Sequence, residues 1–365
     1  MILTLPERAM EIQRAARASL GGTVEWQTQC IRRRADGDAP LSAFPTLAAI
    51  IENLWAEEAP IALLATALVS EEAGYAFSPL SPRPPLLLAW LRQRLDSASQ
   101  ARLRSTHSCT VSTAGDGVAE NASVRAVCDA NGRWRLEGEI GLIEDVGATA
   151  AVLLEARCDE TSGLFLLSLD QEGVQRTAAE PLDLARPAFA LDMGKNSPAF
   201  AEPMECSGAR PAIFAQLRTI ARISVAAEMV GIAQLMMELA IRYARSRSQF
   251  GQNIGNFQAI AHRCAEMLCD VELVRALLYA RASDIDLRAD GRAESAKVKM
   301  LAGHYCPAIV DRACHVFGAE GLTWHRGLHY AVRRIQALGM LWGNTLECGD
   351  EAATLLDRKL ALALA

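Results

Sequence analysis

From Pro211 onward the chain is governed by three long runs whose apolar residues step by three or four positions. One run passes Leu217, Ala221, Val225, Met229, Ile232 and Met236 to Tyr243; a second passes Phe257, Cys264, Met267, Val271, Val274 and Leu278 to Ile285; a third passes Leu301, Tyr305, Ile309 and Ala313 to Val316. A period near 3.6 gathers each set on one helical face. Long amphipathic helices bury such faces against one another, so the C-terminal part is expected to be a four-helix bundle.

The texture upstream is different. Residues up to about 104 contain helical apolar runs, 47–54 and 61–69, separated by breaks such as Ser81-Pro82-Arg83-Pro84-Pro85. The period then shortens to two: Val124, Ala126 and Cys128 alternate with polar residues, Asn131-Gly132 offers a hairpin turn, and Trp134 and Leu136 alternate on the return. The expected architecture is multidomain α+β: an N-terminal α-helical domain (1–104), a small middle β-domain (105–195) and a C-terminal helical bundle (196–365).

Composition narrows the partners. With 365 residues, 51% hydrophobic, and a formal charge of −6, a disordered chain is excluded and nothing favours nucleic acid or an anionic membrane. The apolar stretch Ala59–Val69 holds Pro60 and falls short of the ~20 residues a membrane span needs, so no span is expected. The N-terminus lacks a basic segment feeding a long apolar one, which makes the cytoplasm the expected compartment. Ten scattered cysteines form no C-x-x-C pair and are expected to be reduced and mostly buried. No G-x-G-x-x-G follows a strand and no P-loop occurs, so small molecules bound by other means, or other proteins, are the expected partners.

One segment is more specific. Arg247-Ser-Gln249-Phe250-Gly251, followed by Ile254 and Phe257-Gln258, lies between the first two bundle helices and resembles the acyl-CoA dehydrogenase family. The resemblance extends to His315-Val-Phe-Gly318-Ala-Glu-Gly321-Leu-Thr-Trp324, to Leu328-His329-Tyr330 with Arg333-Arg334, and more faintly to Glu71-Glu72-Ala-Gly74. It implies FAD bound between subunits in a dimer or heterotetramer. Arg247 and Phe250 would meet the adenine or diphosphate part of a neighbour's FAD, where a guanidinium fork suits a diphosphate. It also implies an acyl-CoA substrate and an electron-transfer flavoprotein or similar acceptor. His315 stands for the family's Gln, Gly318-Ala319 for its paired glycines, and Ser112 for a hydroxyl that bonds the flavin, with Thr113 and Ala114 replacing the usual Glu and Pro. The family's W-I-T stretch corresponds to Leu142-Ile143-Glu144, so this chain's own flavin pocket reads as eroded.

Desaturating an acyl-CoA requires a carboxylate to take the α-proton while hydride leaves the β-carbon. By the resemblance, one usual position for that carboxylate holds Trp342 and the other holds Ala221. Glu347 is the weak candidate for a displaced base, with Asp350 beside it and Glu228 in a stretch without catalytic duty. Gly-Leu-Thr-Trp324 and Trp342-Gly343 resemble the two-gene heteromers of steroid and dicarboxylate degradation, which implies a second acyl-CoA dehydrogenase-like subunit that brings the base. A homo-oligomer using Glu347, a noncatalytic interaction protein and a same-fold flavin monooxygenase stay open at this point.

Overall fold

The computed structural model describes residues 5–20, 45–54, 59–106, 109–112, 124–144, 149–159, 161–206, 210–285 and 291–364. Among the described residues five helices come first: α1 (Glu7–Leu20), α2 (Pro45–Leu54), α3 (Ala59–Tyr75), α4 (Arg83–Arg92) and α5 (Ser97–Ser105). The last of these starts on Asp96, whose carboxylate accepts the Ser99 N–H at 2.7 Å as an N-cap.

The described residues then form eight strands: β1 (Cys109–Ser112), β2 (Arg125–Cys128), β3 (Trp134–Glu144), β4 (Ala151–Cys158), β5 (Thr161–Ser168), β6 (Val174–Ala178), β7 (Ala188–Met193) and β8 (Ala199–Met204). They are hydrogen-bonded in the order β1-β4-β5-β8-β3-β7-β6, with β2 beside β3 and β4. Strand β3 joins two halves: its start pairs with β8 through Trp134–Leu136, and from Gly138 onward it pairs with β7, with an irregularity between Ile140 and Ile143 inside that pairing. The sheet therefore continues through β8, past residue 195 and into the stretch assigned from sequence to the bundle. Pro203 within β8 and the short apolar alternation hide that strand from the sequence.

Strands β4 and β5 contribute to the two larger hydrophobic cores. Leu153, Leu164 and Leu166 pack with the helices, whereas Val152, Leu154, Phe165 and Leu167 pack inside the β-domain. Both faces of the pair are buried over 151–154 and 163–167, which is why those stretches are continuously apolar rather than alternating.

The C-terminal helices are α6 (Arg210–Ser246), α7 (Gln258–Asp284), α8 (Arg292–Phe317), α9 (Leu328–Met340) and α10 (Thr345–Leu364). The first run's stripe is only part of the buried surface of α6: Ile220, Ile223, Ala226, Val230 and Ala233 on its other faces are also buried. It is the central helix of the bundle, not an amphipathic wall. It is long and apolar enough by composition to cross a membrane, but the most apolar 18-residue stretch within 212–246 is 83% buried among its neighbours, as a core helix is. It crosses α3 at backbone contact, because a Cβ on Gly74 would lie 2.1 Å from the Glu228 carbonyl oxygen and one on Gly231 2.1 Å from that of Glu71. The crossing places Glu71 and Glu72 as braces. Glu72 accepts from Arg17 at 2.7 Å and Gln13 at 2.9 Å on α1, and Glu71 accepts from Arg275 at 2.9 Å and Tyr279 at 2.6 Å on α7.

Nine cysteines lie in the described residues and all are free thiols, but only Cys306 and Cys348 are fully buried, with Cys128 and Cys269 exposed. The expectation of mostly buried thiols is corrected accordingly: several sit on strand ends and outer helix faces.

Candidate functional site

Arg247, Phe250, His315 and Gly318 are all carried at the 247–318 end of the bundle. After α6 the chain makes a two-residue hairpin between β9 (Ser248–Gln249) and β10 (Gln252–Asn253). Its tip, Phe250-Gly251, has φ of +52° and +81°, the left-handed pair that tight hairpins require. Gly251 adopts this freely, whereas Phe250 is held there with its ring 92% exposed. Its only ring contact among the described residues is the edge of Phe257, with centroids 6.2 Å apart, which leaves most of the ring open to a ligand or another subunit.

Arg247, half exposed, reaches Glu320 at 3.5 Å and thereby meets the turn that follows α8. His315 on the last turn of α8 is exposed and lies 3.4 Å from Asp311. Gly318 has φ of +61° with open space where a Cβ would stand, so backbone can be approached closely there. A cation, an exposed aromatic ring and open backbone at one end of the bundle fit the diphosphate and adenine part of a dinucleotide.

The β-domain residues fit a flavin ring less well. Ser112 is buried at the end of β1, and Thr113, Ala114 and Gly115 lie outside the described residues. At the W-I-T position Leu142 cannot supply a large aromatic, and Ile143 is buried in the β-domain core. Glu144 is committed elsewhere: its carboxylate takes the guanidinium of Arg83.

That pair opens onto a buried ionic network, which the sequence reading missed, at the meeting point of the three parts of the fold. Arg83 of α4 also donates to Glu228 of α6 at 2.6 Å. Arg186, between β6 and β7, pairs with Glu228 and donates to the carbonyls of Ser78 and Leu80 at 3.1 and 3.0 Å. Arg334 of α9 donates to Asp183 at 2.8 Å and to the Ser78 carbonyl at 2.7 Å, with its guanidinium 3.9 Å from the centre of the Phe77 ring. Three arginines face three carboxylates, which is how so much charge is tolerated in the interior. Burial alone would raise the Glu228 carboxyl; Arg186 and Arg83 more than reverse that and hold it at about 2. It is therefore a permanent anion with no proton to exchange near neutral pH.

Neither usual base position carries a carboxylate. Ala221 is fully buried in α6. Trp342 is 4% exposed, with φ of +60°, followed by Gly343 at +100°. This turn is clamped by two buried cations: Arg222 donates to the Trp342 carbonyl at 2.9 Å, and Lys299 donates to the carbonyls of Gly339 and Gly343 at 2.9 and 3.1 Å. Burial pulls the Lys299 ammonium down to about 8; Cys348 opposes the shift and Arg222 adds to it. Glu347, the displaced-base candidate, is engaged in a helix cap. Its Oε2 accepts the Asn344 N–H at 2.9 Å while Asn344 Oδ1 accepts the N–H groups of Leu346 and Glu347 at 2.9 and 3.0 Å. This reciprocal N-cap pattern starts α10 and explains the carboxylate structurally.

A profile of the acyl-CoA dehydrogenase C-terminal domain matches residues 213–345, which include the hairpin, the turn after α8 and the Trp342–Gly343 turn. Residues 213–345 are an acyl-CoA dehydrogenase C-terminal domain. The acyl-CoA dehydrogenase fold extends over the whole chain: a steroid ACAD, Tcur3481-Tcur3483, superposes with a TM-score of 0.82 at 23% identity, covering 98% of this chain and all of that one. PigA, solved as an FAD complex, superposes with a TM-score of 0.79 at 19% identity over the full length of both chains. At such identities these likenesses establish fold alone. Among curated relatives, the caffeyl-CoA reductase-Etf complex subunit CarC of Acetobacterium woodii is 35% identical over 102 residues, 28% of this chain and 27% of CarC. The chain spans only 19 to 30% of the length of the first three curated relatives it matches.

Proposed function

We propose that this chain is a subunit of an FAD-dependent acyl-CoA dehydrogenase that desaturates a bulky, steroid-type acyl-CoA thioester, with the catalytic base carried by a second acyl-CoA dehydrogenase-like subunit. The observation that carries this reading is the asymmetry between two ends of one bundle. The Arg247–Phe250 hairpin and the Gly318 turn keep groups suited to a dinucleotide, whereas the base positions hold buried Trp342 and Ala221. FAD, when bound, supplies the hydride acceptor. In this reading Arg247 binds phosphate, and Phe250 covers an apolar face of a cofactor held mainly by the neighbouring subunit. A clamped Trp342–Gly343 turn gives the partner's acyl group a rigid, proton-inert wall.

The large apolar side chains left exposed at Phe250, Leu322, Trp324, Met340 and Leu346 supply an interface for the partner. CarC, named as part of an Etf complex, supports an electron-transfer flavoprotein as acceptor. The cap that engages Glu347 weighs against a homo-oligomer with a displaced base.

The test is purification of the chain alone and with a Glu-bearing partner, followed by flavin content and anaerobic flavin reduction with steroid-type acyl-CoA thioesters. The complex should hold flavin and be reduced, and the chain alone should show little reduction. Arg247→Ala should loosen flavin in the complex by on the order of 1.5–3 kcal/mol, the worth of a charge-assisted phosphate contact. A complex that forms but holds no flavin would refute the reading.

A further inference from the structure

The turn after α8 contains a carboxylate where a phosphate site would not be expected to have one. Glu320 draws three donors to itself: Arg247 from the end of α6 at 3.5 Å, Arg326 from beyond the turn through its Nε at 3.1 Å and also its terminal nitrogen, and the Tyr243 hydroxyl. The donors are themselves ordered. Tyr243 stacks on Phe317 with ring centroids 4.5 Å apart, and the Arg326 guanidinium lies over both rings at 5.4 and 5.8 Å. The result is a cradle of two guanidiniums and one phenol converging on a single anion, on the same short 3-10 helix as the open backbone of Gly318.

We propose that Glu320 is an internal stand-in for a cofactor phosphate, and that Arg326 is a second diphosphate-binding residue beside Arg247. Two guanidiniums match the two negative charges of a dinucleotide diphosphate, whereas with Glu320 in place only one positive charge is left over. The diphosphate must therefore displace the carboxylate or bind against its repulsion. Displacement is local, since Glu320 and Arg326 are each more than a third exposed, Glu320 on the short 3-10 helix Gly318–Leu322 and Arg326 in the turn beyond it. The same exchange makes cofactor capture dependent on release of Glu320, which the arrival of a partner's FAD at this end of the bundle would drive. The inference rests on the cofactor reading above, but it concerns residues that reading does not use.

The test is equilibrium binding of ADP and of FAD to the full chain, alone and in complex with its partner, for the wild type, Glu320→Gln, Glu320→Ala and Arg326→Ala. Removing the carboxylate should tighten both ligands by about fivefold to tenfold at low ionic strength, with the gain shrinking in high salt. Arg326→Ala should weaken both by a similar factor. If the wild type takes up FAD while both Glu320 variants bind it equally well or more weakly, the stand-in role is wrong and the cofactor reading survives. If no form binds ADP or FAD, alone or with the partner, both fall together.

Discussion

Arg83 Nη1 donates to Glu228 Oε2 at 2.6 Å, and neither side chain meets solvent. This bond ties α4 to the central helix of the bundle. Through Arg186 and Arg334 it extends to Asp183 and to the carbonyls of the 78–80 turn. The three parts of the fold are held in register by charge at the point where an apolar core would leave them free to slide.

Glu228→Gln should therefore destabilise the chain by about 3–5 kcal/mol, since it leaves Arg83 and Arg186 buried without a full counter-charge. Linkage gives the sign with pH. A carboxyl held at about 2 when folded and at ~4.3 when unfolded contributes stability above the unfolded value, and that contribution fades as pH falls through the folded one. Denaturant midpoints between pH 5 and 2 should fall more steeply for the wild type than for the variant; parallel curves would contradict the network.

Gly231→Ala should cost about 1–3 kcal/mol or more, because the new methyl would stand 2.1 Å from a backbone oxygen and 2.7 Å from the Tyr75 nitrogen, neither of which can rotate away. Chemical denaturation reads this directly, and an unchanged midpoint would mean that α3 and α6 are not in backbone contact.

Lys299 titrates in an accessible range. Its folded value of about 8 lies below the unfolded ~10.4, so between those values the unfolded state binds more protons and stability rises with pH. The increment amounts to about 3 kcal/mol. Lys299→Met should abolish this rise while leaving the acid limb intact, as thermal melts from pH 7 to 10.5 would show.

Glu347→Gln should weaken the start of α10 by about 0.5–1 kcal/mol, the worth of a partial cap, and leave turnover of the assembled enzyme within about twofold. Steady-state rates set beside the melting temperature separate the two effects. A loss of turnover without a loss of stability would make Glu347 the base after all.

The amino-acid sequence by itself determined the order helix, sheet, bundle, because the apolar period changes from 3.6 to 2 and back, and period depends on local geometry alone. It also singled out Arg247 and Phe250 in one motif and Gly318 in another, through their resemblance to the acyl-CoA dehydrogenase family, since each motif is written in contiguous residues. It determined as well that Trp342 and Ala221 can accept no proton. What it could not display is any relation between distant residues. That Glu144 meets Arg83, that Glu71 and Glu72 brace two different helices, and that Glu347 closes a cap were decided by packing. So was the burial of α6 on every side, because a helix enclosed by others has no polar face for a period to reveal. A carboxylate's role depends on which donors the fold brings to it, and the donors of Glu228, like Arg247 at Glu320, come from segments far apart in the chain.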